Sequence, residues 1–171
     1  AMFILNLDLN KIRNKFINFK FPEGRGDIKK VKIFNKKIKF IDESYNANPL
    51  SMASAIKNMN HHDKNKSNRK LAFLGDMLEL GKKTKRFHKD LSIVINNSDI
   101  DKVFVYGKHI TDTYSYLSKS KKGQIFKNLK EAYDHFAKNL HNNDLLMVKG
   151  SNATGLNQLS KNIKKGYISA I

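Results

Sequence analysis

Few positions in this chain have the residue types and spacing that direct chemistry demands. Asp76 and Glu79 stand three apart in Gly75-Asp76-Met77-Leu78-Glu79-Leu80-Gly81 and form a candidate carboxylate pair. On residue type alone, the plainer role for Asp76 is to order its loop while Glu79 stays solvated. A phosphate-cradling GxxxxGK[ST] loop is absent: Gly81-Lys82-Lys83-Thr84 resembles its tail, but Asp76 occupies the place of the first glycine and an extra lysine precedes the threonine. Gly24-Arg25-Gly26 lacks the third glycine of a dinucleotide fingerprint. Ser151 follows an apolar run, yet no GxSxG surrounds it. The chain has no cysteine, which excludes disulfides, thiolate nucleophiles and cysteine-held zinc. Any use of a nucleotide therefore depends on a phosphate loop supplied from elsewhere.

The elements that must position these residues follow from periodicity. Leu9, Ile12, Phe16 and Phe19 recur at helical spacing behind Asp8. FPEGRGD then breaks the pattern and reads as a linker. VKIF and IKFI are β-prone runs joined at Asn35-Lys36-Lys37 as a hairpin, and the second run leads into IDESYNANP. Asn48-Pro49 starts a helix that runs to about Met59, because asparagine caps free amides and proline at the first helical position loses no bond. Residues 60–70 are polar and basic and read as an exposed loop, with His61 and His62 solvated. Strands at LAFLG, KVFVYG, QIF and DLLMVKG then alternate with helices over 84–97, 109–118, 129–140 and 155–169.

Such alternation predicts an α/β, Rossmann-like domain with a mostly parallel sheet flanked by helices. Ligands in these sheets collect at the carboxyl ends of strands. Three loops follow strands directly: Asp42 to Pro49, Gly75 to Gly81, and Gly150 to Gly155.

At 171 residues and 40% hydrophobic content the chain suffices for one core, and no run approaches the roughly 18 apolar residues of a membrane helix. The expectation is a soluble, cytoplasmic protein with no membrane partner. A formal charge of +18 attracts polyanions, but the lysines are spread over every segment and no recognition motif accompanies them. Sequence-specific nucleic-acid binding is therefore not expected. A basic α/β nucleic-acid-binding module remains the reading from a different functional class.

FPEGRGD, IDESYNANPLSM, LGDMLELG and LLMVKGS occur in an order and at spacings that resemble the Mur ligases, above all those that add D-alanyl-D-alanine to a UDP-N-acetylmuramoyl tripeptide. A Mur ligase adding another amino compound, such as the diamino acid, is the neighbouring reading. The resemblance implies that residues 23–171 form the family's C-terminal domain, and that residues 1–22 are the end of its central domain with the hinge helix. It also implies ATP and Mg, both held mainly by the central domain, with the N-terminal and central domains as partners. The reaction implied is amide formation through an acyl phosphate, and the chain alone is expected to be inactive.

Residue by residue, the resemblance makes Arg25 the hinge arginine that meets the ATP phosphates as the domains close. It makes Asp42 or Glu43 the acceptor for the ribose hydroxyls, and places Tyr45 and Asn46 against the nucleotide. Asp76, His88, Lys149 and Ser151 fall near the amino-substrate pocket. The family often continues KGS with arginine, where this chain has Asn152.

Overall fold

The computed structural model describes residues 23–33, 35–62 and 69–165. The helix expected over residues 8–19, the assignment of residues 1–22 to a preceding domain, and the end of the last helix beyond Lys165 lie outside the described residues. Six strands form one mixed sheet: β1 (Asp27–Ile33), β2 (Lys36–Glu43), β3 (Lys70–Gly75), β4 (Lys102–Tyr106), β5 (Lys122–Ile125) and β6 (Leu145–Lys149). Their order across the sheet is β1-β2-β6-β3-β4-β5. Only the β1–β2 hairpin is antiparallel.

Among the described residues five α-helices alternate with the strands: α1 (Pro49–Asn60), α2 (Thr84–Asn96), α3 (Ile110–Ser115), α4 (Leu129–Asn139) and α5 (Leu156–Lys165). The period of two sorts the strand residues between two cores. Ala72, Leu74, Val103, Val105, Leu145 and Met147 meet Met52, Ile56, Leu91, Ile95 and Ile110 from α1, α2 and α3. Leu71, Phe73, Phe104, Leu146 and Val148 meet Phe136, Leu159 and Ile163 from α4 and α5, a side rich in aromatic rings. Because β3 and β6 are buried along their whole length, they read as continuous apolar runs rather than as alternation.

Local chemistry sets the helix starts. Asn48 Oδ1 accepts from Ser51 N at 2.8 Å, Asn48 N donates to Ser51 Oγ at 3.1 Å, and Pro49 fills the first helical position. Asn128 caps α4 in the same way through Glu131 N at 2.8 Å. At the opposite end of the sheet from the three ligand-side loops, Asp144 has no exposure and takes Arg69 bidentately, Nε at 3.0 Å and Nη2 at 2.6 Å.

Several elements differ from the sequence expectation. β1 starts at Asp27 rather than Val31, and Lys36 and Lys37, expected in the hairpin turn, pair with Ile33 and Lys32 as part of β2. α3 spans only Ile110–Ser115 instead of 109–118. β5 lies at Lys122–Ile125 rather than on Gln124-Ile125-Phe126, because a bulge against β4 shifts its register and Phe126 turns inward onto Phe73 and Phe104.

The position of β6 between β2 and β3 sets the carboxyl ends of three neighbouring strands side by side. This closeness requires glycine at both crossing points. A Cβ on Gly150 would lie 2.7 Å from Leu156 Cδ1 and 3.1 Å from Gly75 Cα. Gly150→Ala is therefore expected to destabilise the domain by about 1–3 kcal/mol through overpacking. The measurement is a thermal melt, in which an unchanged midpoint would contradict the crossing geometry.

Candidate functional site

Residues 44–48 form the first loop, and Asp42 anchors it from below. Asp42 Oδ1 accepts from Ser44 Oγ at 2.6 Å and Ser44 N at 3.1 Å, while Oδ2 lies 2.8 Å from Lys164 Nζ on α5. Burial pushes this carboxyl up, but the Lys164 ammonium and the Ser44 donors outweigh it and hold the carboxyl below its ordinary value. Lys164 Nζ also lies 3.5 Å from Glu23. It is inaccessible to solvent and makes no well-directed hydrogen bond, so charge is what it contributes to both carboxylates.

The next residue on the strand faces the other way. Glu43 Oε2 pairs with Lys149 Nζ at 3.2 Å, and that ammonium also donates to Asn46 O at 3.0 Å. Lys149 is buried, which pulls its pKa down against the opposing attraction of Glu43. Asn46 folds its own Oδ1 onto Ala47 N at 2.8 Å. The Tyr45 ring is half exposed, with the Arg25 guanidinium carbon 4.4 Å from its centroid. Gly24 and Gly26 on either side of Arg25 take φ of 74° and 88°, in the region that favours glycine.

Three contacts at successive residues hold the second loop. The Asp76 carboxylate accepts from Lys108 N at 3.0 Å, His109 N at 2.9 Å and Ile110 N at 2.7 Å, so it serves the start of α3. His88 Nε2 accepts from Met77 N at 3.0 Å, and His88 Nδ1 lies 2.8 Å from Thr84 O. Those partners assign the proton to Nδ1 and the lone pair to Nε2. Burial accordingly pushes the imidazole pKa down. Leu78 N donates to Ser151 Oγ at 3.0 Å. Beyond these anchors Glu79 stands exposed at φ 62°.

Ser151 joins all three loops. Its amide donates to Asp76 O at 3.0 Å, and its hydroxyl donates to Ala47 O at 3.4 Å while accepting from Leu78. The site residues expected from sequence thus divide into two groups. Asp76, His88 and Ser151 point inward and shape backbone, and Asp42 does the same through Ser44. Arg25, Tyr45, Glu43 and Asn46 keep exposed surface at the strand ends. A cavity of about 470 Å³ opens beside Arg25 and Tyr45, on the Asp42 side of the strand rather than the Glu43 side, bordered also by Ser44, Asn152, Lys161 and Lys164. Asn157 also lines it, donating to Asn152 Oδ1 at 2.6 Å. The α5 lysines were not foreseen. Their signal in the sequence was the three-residue spacing of Lys161 and Lys164, which sets both on one helical face. Among the described residues no three His, Cys, Asp or Glu side chains are grouped as for a metal ion, and no helix is long and apolar enough to cross a membrane.

Residues 24–152 match the family model described as the Mur ligase, glutamate ligase domain. The chain belongs to the Mur ligase family. It is 37% identical over 135 residues to the UDP-N-acetylmuramoyl-tripeptide–D-alanyl-D-alanine ligase of Buchnera aphidicola subsp. Baizongia pistaciae, covering 78% of this chain and 28% of that protein. The Rickettsia prowazekii enzyme of the same name is 28% identical over 156 residues, covering 91% of this chain and 33% of that protein. This Mur ligase domain thus spans about a third of the length of such relatives. Its fold matches that of the Thermotoga maritima MurF ligase solved in complex with ADP, with a TM-score of 0.73 and 21% identity over 96% of this chain and 35% of that one. MurF from Acinetobacter baumannii superposes with a TM-score of 0.75, also at 21% identity, over 96% of this chain and 35% of that one.

The neutral, buried His88 makes stability depend on pH. The unfolded imidazole takes up a proton near its ordinary 6.5, whereas the folded one resists protonation. Its contribution is therefore full above about pH 6.5 and is lost as pH falls toward the depressed folded value. Melts between pH 7.5 and 5 should show a falling midpoint, with a shallower fall in His88→Gln. Some slope should remain, since burial also pushes His62 and His135 down. Equal slopes in the two proteins would remove His88 from this account.

Proposed function

We propose that this chain is the amino-substrate domain of a cytoplasmic, ATP-dependent ligase that joins D-alanyl-D-alanine to a UDP-N-acetylmuramoyl tripeptide. The observation that carries the reading is the meeting of the Arg25–Tyr45 lip with three adjoining strand-end loops, in a chain whose relatives bear that ligase name. In the reaction, ATP phosphorylates the terminal carboxylate of the tripeptide. The dipeptide amine attacks the acyl carbon, and the tetrahedral intermediate expels phosphate as the amide forms. The absence of a phosphate-cradling loop from this sequence fits a division of labour in which the central domain holds ATP and magnesium.

This chain then contributes orientation and charge, which carry much of the rate in phosphoryl and acyl transfer. Arg25 rests on an aromatic face and forms no ion pair among the described residues. Its planar fork is free to engage phosphate oxygens when the domains close. Glu43 is the carboxylate for the ribose hydroxyls, since Asp42 is committed to Ser44 and Lys164 whereas Glu43 keeps about a quarter of its side chain exposed. Tyr45 and Asn46 complete the nucleotide side. Asp76, His88 and Ser151 act on the amino-substrate side by holding the loops that would meet the dipeptide, and Lys149, bonded to Glu43 and Asn46 O, links that side to the nucleotide side.

In the enzyme joined to its N-terminal and central domains, Arg25→Ala is expected to lower kcat by about two orders of magnitude, as for loss of one charge-stabilising donor. Arg25→Lys should recover only part, because a point charge cannot reproduce the fork. The melting midpoint of the 171-residue chain should not move in either variant. Steady-state kinetics with ATP and D-Ala-D-Ala would decide: full turnover in Arg25→Ala makes Arg25 a turn residue and sinks the assignment.

A further inference from the structure

The cavity beside Arg25 is bordered by three cations and two carboxylates, and the pairing among them leaves a definite remainder. Lys164 stands between Asp42 and Glu23, at 2.8 and 3.5 Å, so one ammonium is set against both carboxylates. Its pKa is raised: burial opposes the charge, but the two carboxylates outweigh burial. The side chain is nine-tenths buried and its nitrogen is sealed from solvent. Lys161 lies one turn earlier on α5, is exposed, and has no ion-pair partner among the described residues. Arg25 lies on the same cavity, and among the described residues its guanidinium is recorded against the Tyr45 ring and in no ion pair. The remaining wall is polar, with Ser44 and the Asn152–Asn157 amide pair.

We infer that Lys161 and Arg25 form a two-cation clamp for the phosphate chain of the nucleotide, with Lys164 as the buried counter-ion of Asp42 and the exposed Glu23, leaving these five charges at a net +1. This deepens the proposed function and rests on its assignment of Arg25 to the nucleotide phosphates. Two exposed cations facing one another across a concave polar wall raise the local potential, and a linear polyphosphate meets both where a single carboxylate meets one. Lys164 acts as a positioning residue: it fixes the Asp42–Ser44 start of the loop that carries Tyr45, and so the height of the ring on which Arg25 rests.

The test is a titration of the 171-residue chain with tripolyphosphate, and separately with adenosine, followed by amide chemical shifts. Tripolyphosphate should move the signals of Tyr45, Asn157 and Lys161, and adenosine should move those of Lys161 little. Lys161→Met should weaken tripolyphosphate binding about five-fold at moderate salt, and Lys161→Arg should restore it. Lys85→Met on the exposed start of α2 removes the same unit of net charge at a distance, and should leave the affinity near wild type. If Lys161→Met matches Lys85→Met, the clamp is wrong and only the general field of a +18 chain attracts the anion. If Arg25→Met weakens binding while Lys161→Met does not, the clamp fails and the assignment of Arg25 to the phosphates stands. If neither differs from Lys85→Met, that assignment fails with it.

Discussion

Three chain segments meet at one small buried hydroxyl, and the candidate site has its shape because of that meeting. Ser151 gives its amide to Asp76 O and its hydroxyl to Ala47 O, takes the Leu78 amide, and accepts Thr154 Oγ1 on its carbonyl at 2.6 Å. Each of these groups is largely shut off from water, where an unmatched donor or acceptor costs on the order of 1–3 kcal/mol. The constraint is also topological. β6 comes last among the strands in sequence but lies between β2 and β3 in space. The first two ligand-side loops therefore follow strands that are not neighbours, and the segment that carries Ser151 hydrogen-bonds to both.

The adjacent carboxylates of β2 show how the period of two divides labour within one dipeptide. Asp42 goes to the α5 side, where Lys164 and Ser44 tie it down, and Glu43 goes to the α1 side, where buried Lys149 reaches it. Neither charge is buried without a partner, which is the condition for keeping ionised groups at the edge of an apolar core. The two ion pairs have different effects. The Asp42 pair fixes backbone and is closed to solvent, whereas the Glu43 pair keeps one carboxylate edge open and is anchored by an ammonium that also holds Asn46 O. An acidic pair that looks redundant in sequence thus becomes one strut and one presenting group.

Much of the fold was legible because its signals are local. Asn48-Pro49 marked the start of α1 within the residue, and the apolar runs of β3 and β6 marked strands covered on both faces. β5 was less legible because its position depends on the β4 register, a bulge, and Phe126 leaving the strand for the aromatic core. α3 stops early for a similar reason: Tyr116 N already closes onto Thr113 O. The site was legible by residue type but not by role. By residue type Asp76 orders its loop, and it does bind backbone, but the three amides it accepts from lie 32 to 34 residues further along the chain. No local pattern encodes that distance, and none places Lys164 beneath Asp42, more than a hundred positions away. The resemblance found the strand-end segments, while the α5 face required the folded packing.

These constraints also determine where motion can enter. Loops 44–48, 75–81 and 150–155 are tied to one another and to α2, α3 and α5 by short, mostly buried contacts, so relative movement among them would break several bonds together. The chain just before β1 is held differently. Gly24 O accepts from Tyr45 N at 3.2 Å and Gly26 N donates to Asp42 O at 2.8 Å, while among the described residues the Arg25 side chain between them meets the soft attraction of a ring and no ion pair. Two glycines at positive φ can take up a dihedral change without a Cβ clash, and an arginine on a ring can leave it at the cost of an exposed cation–π contact, about 0.5–1 kcal/mol. A dihedral change at Gly24 and Gly26 would leave the three loops intact. Such a change would alter the surroundings of Arg25 most, while loops 44–48, 75–81 and 150–155 kept their mutual contacts.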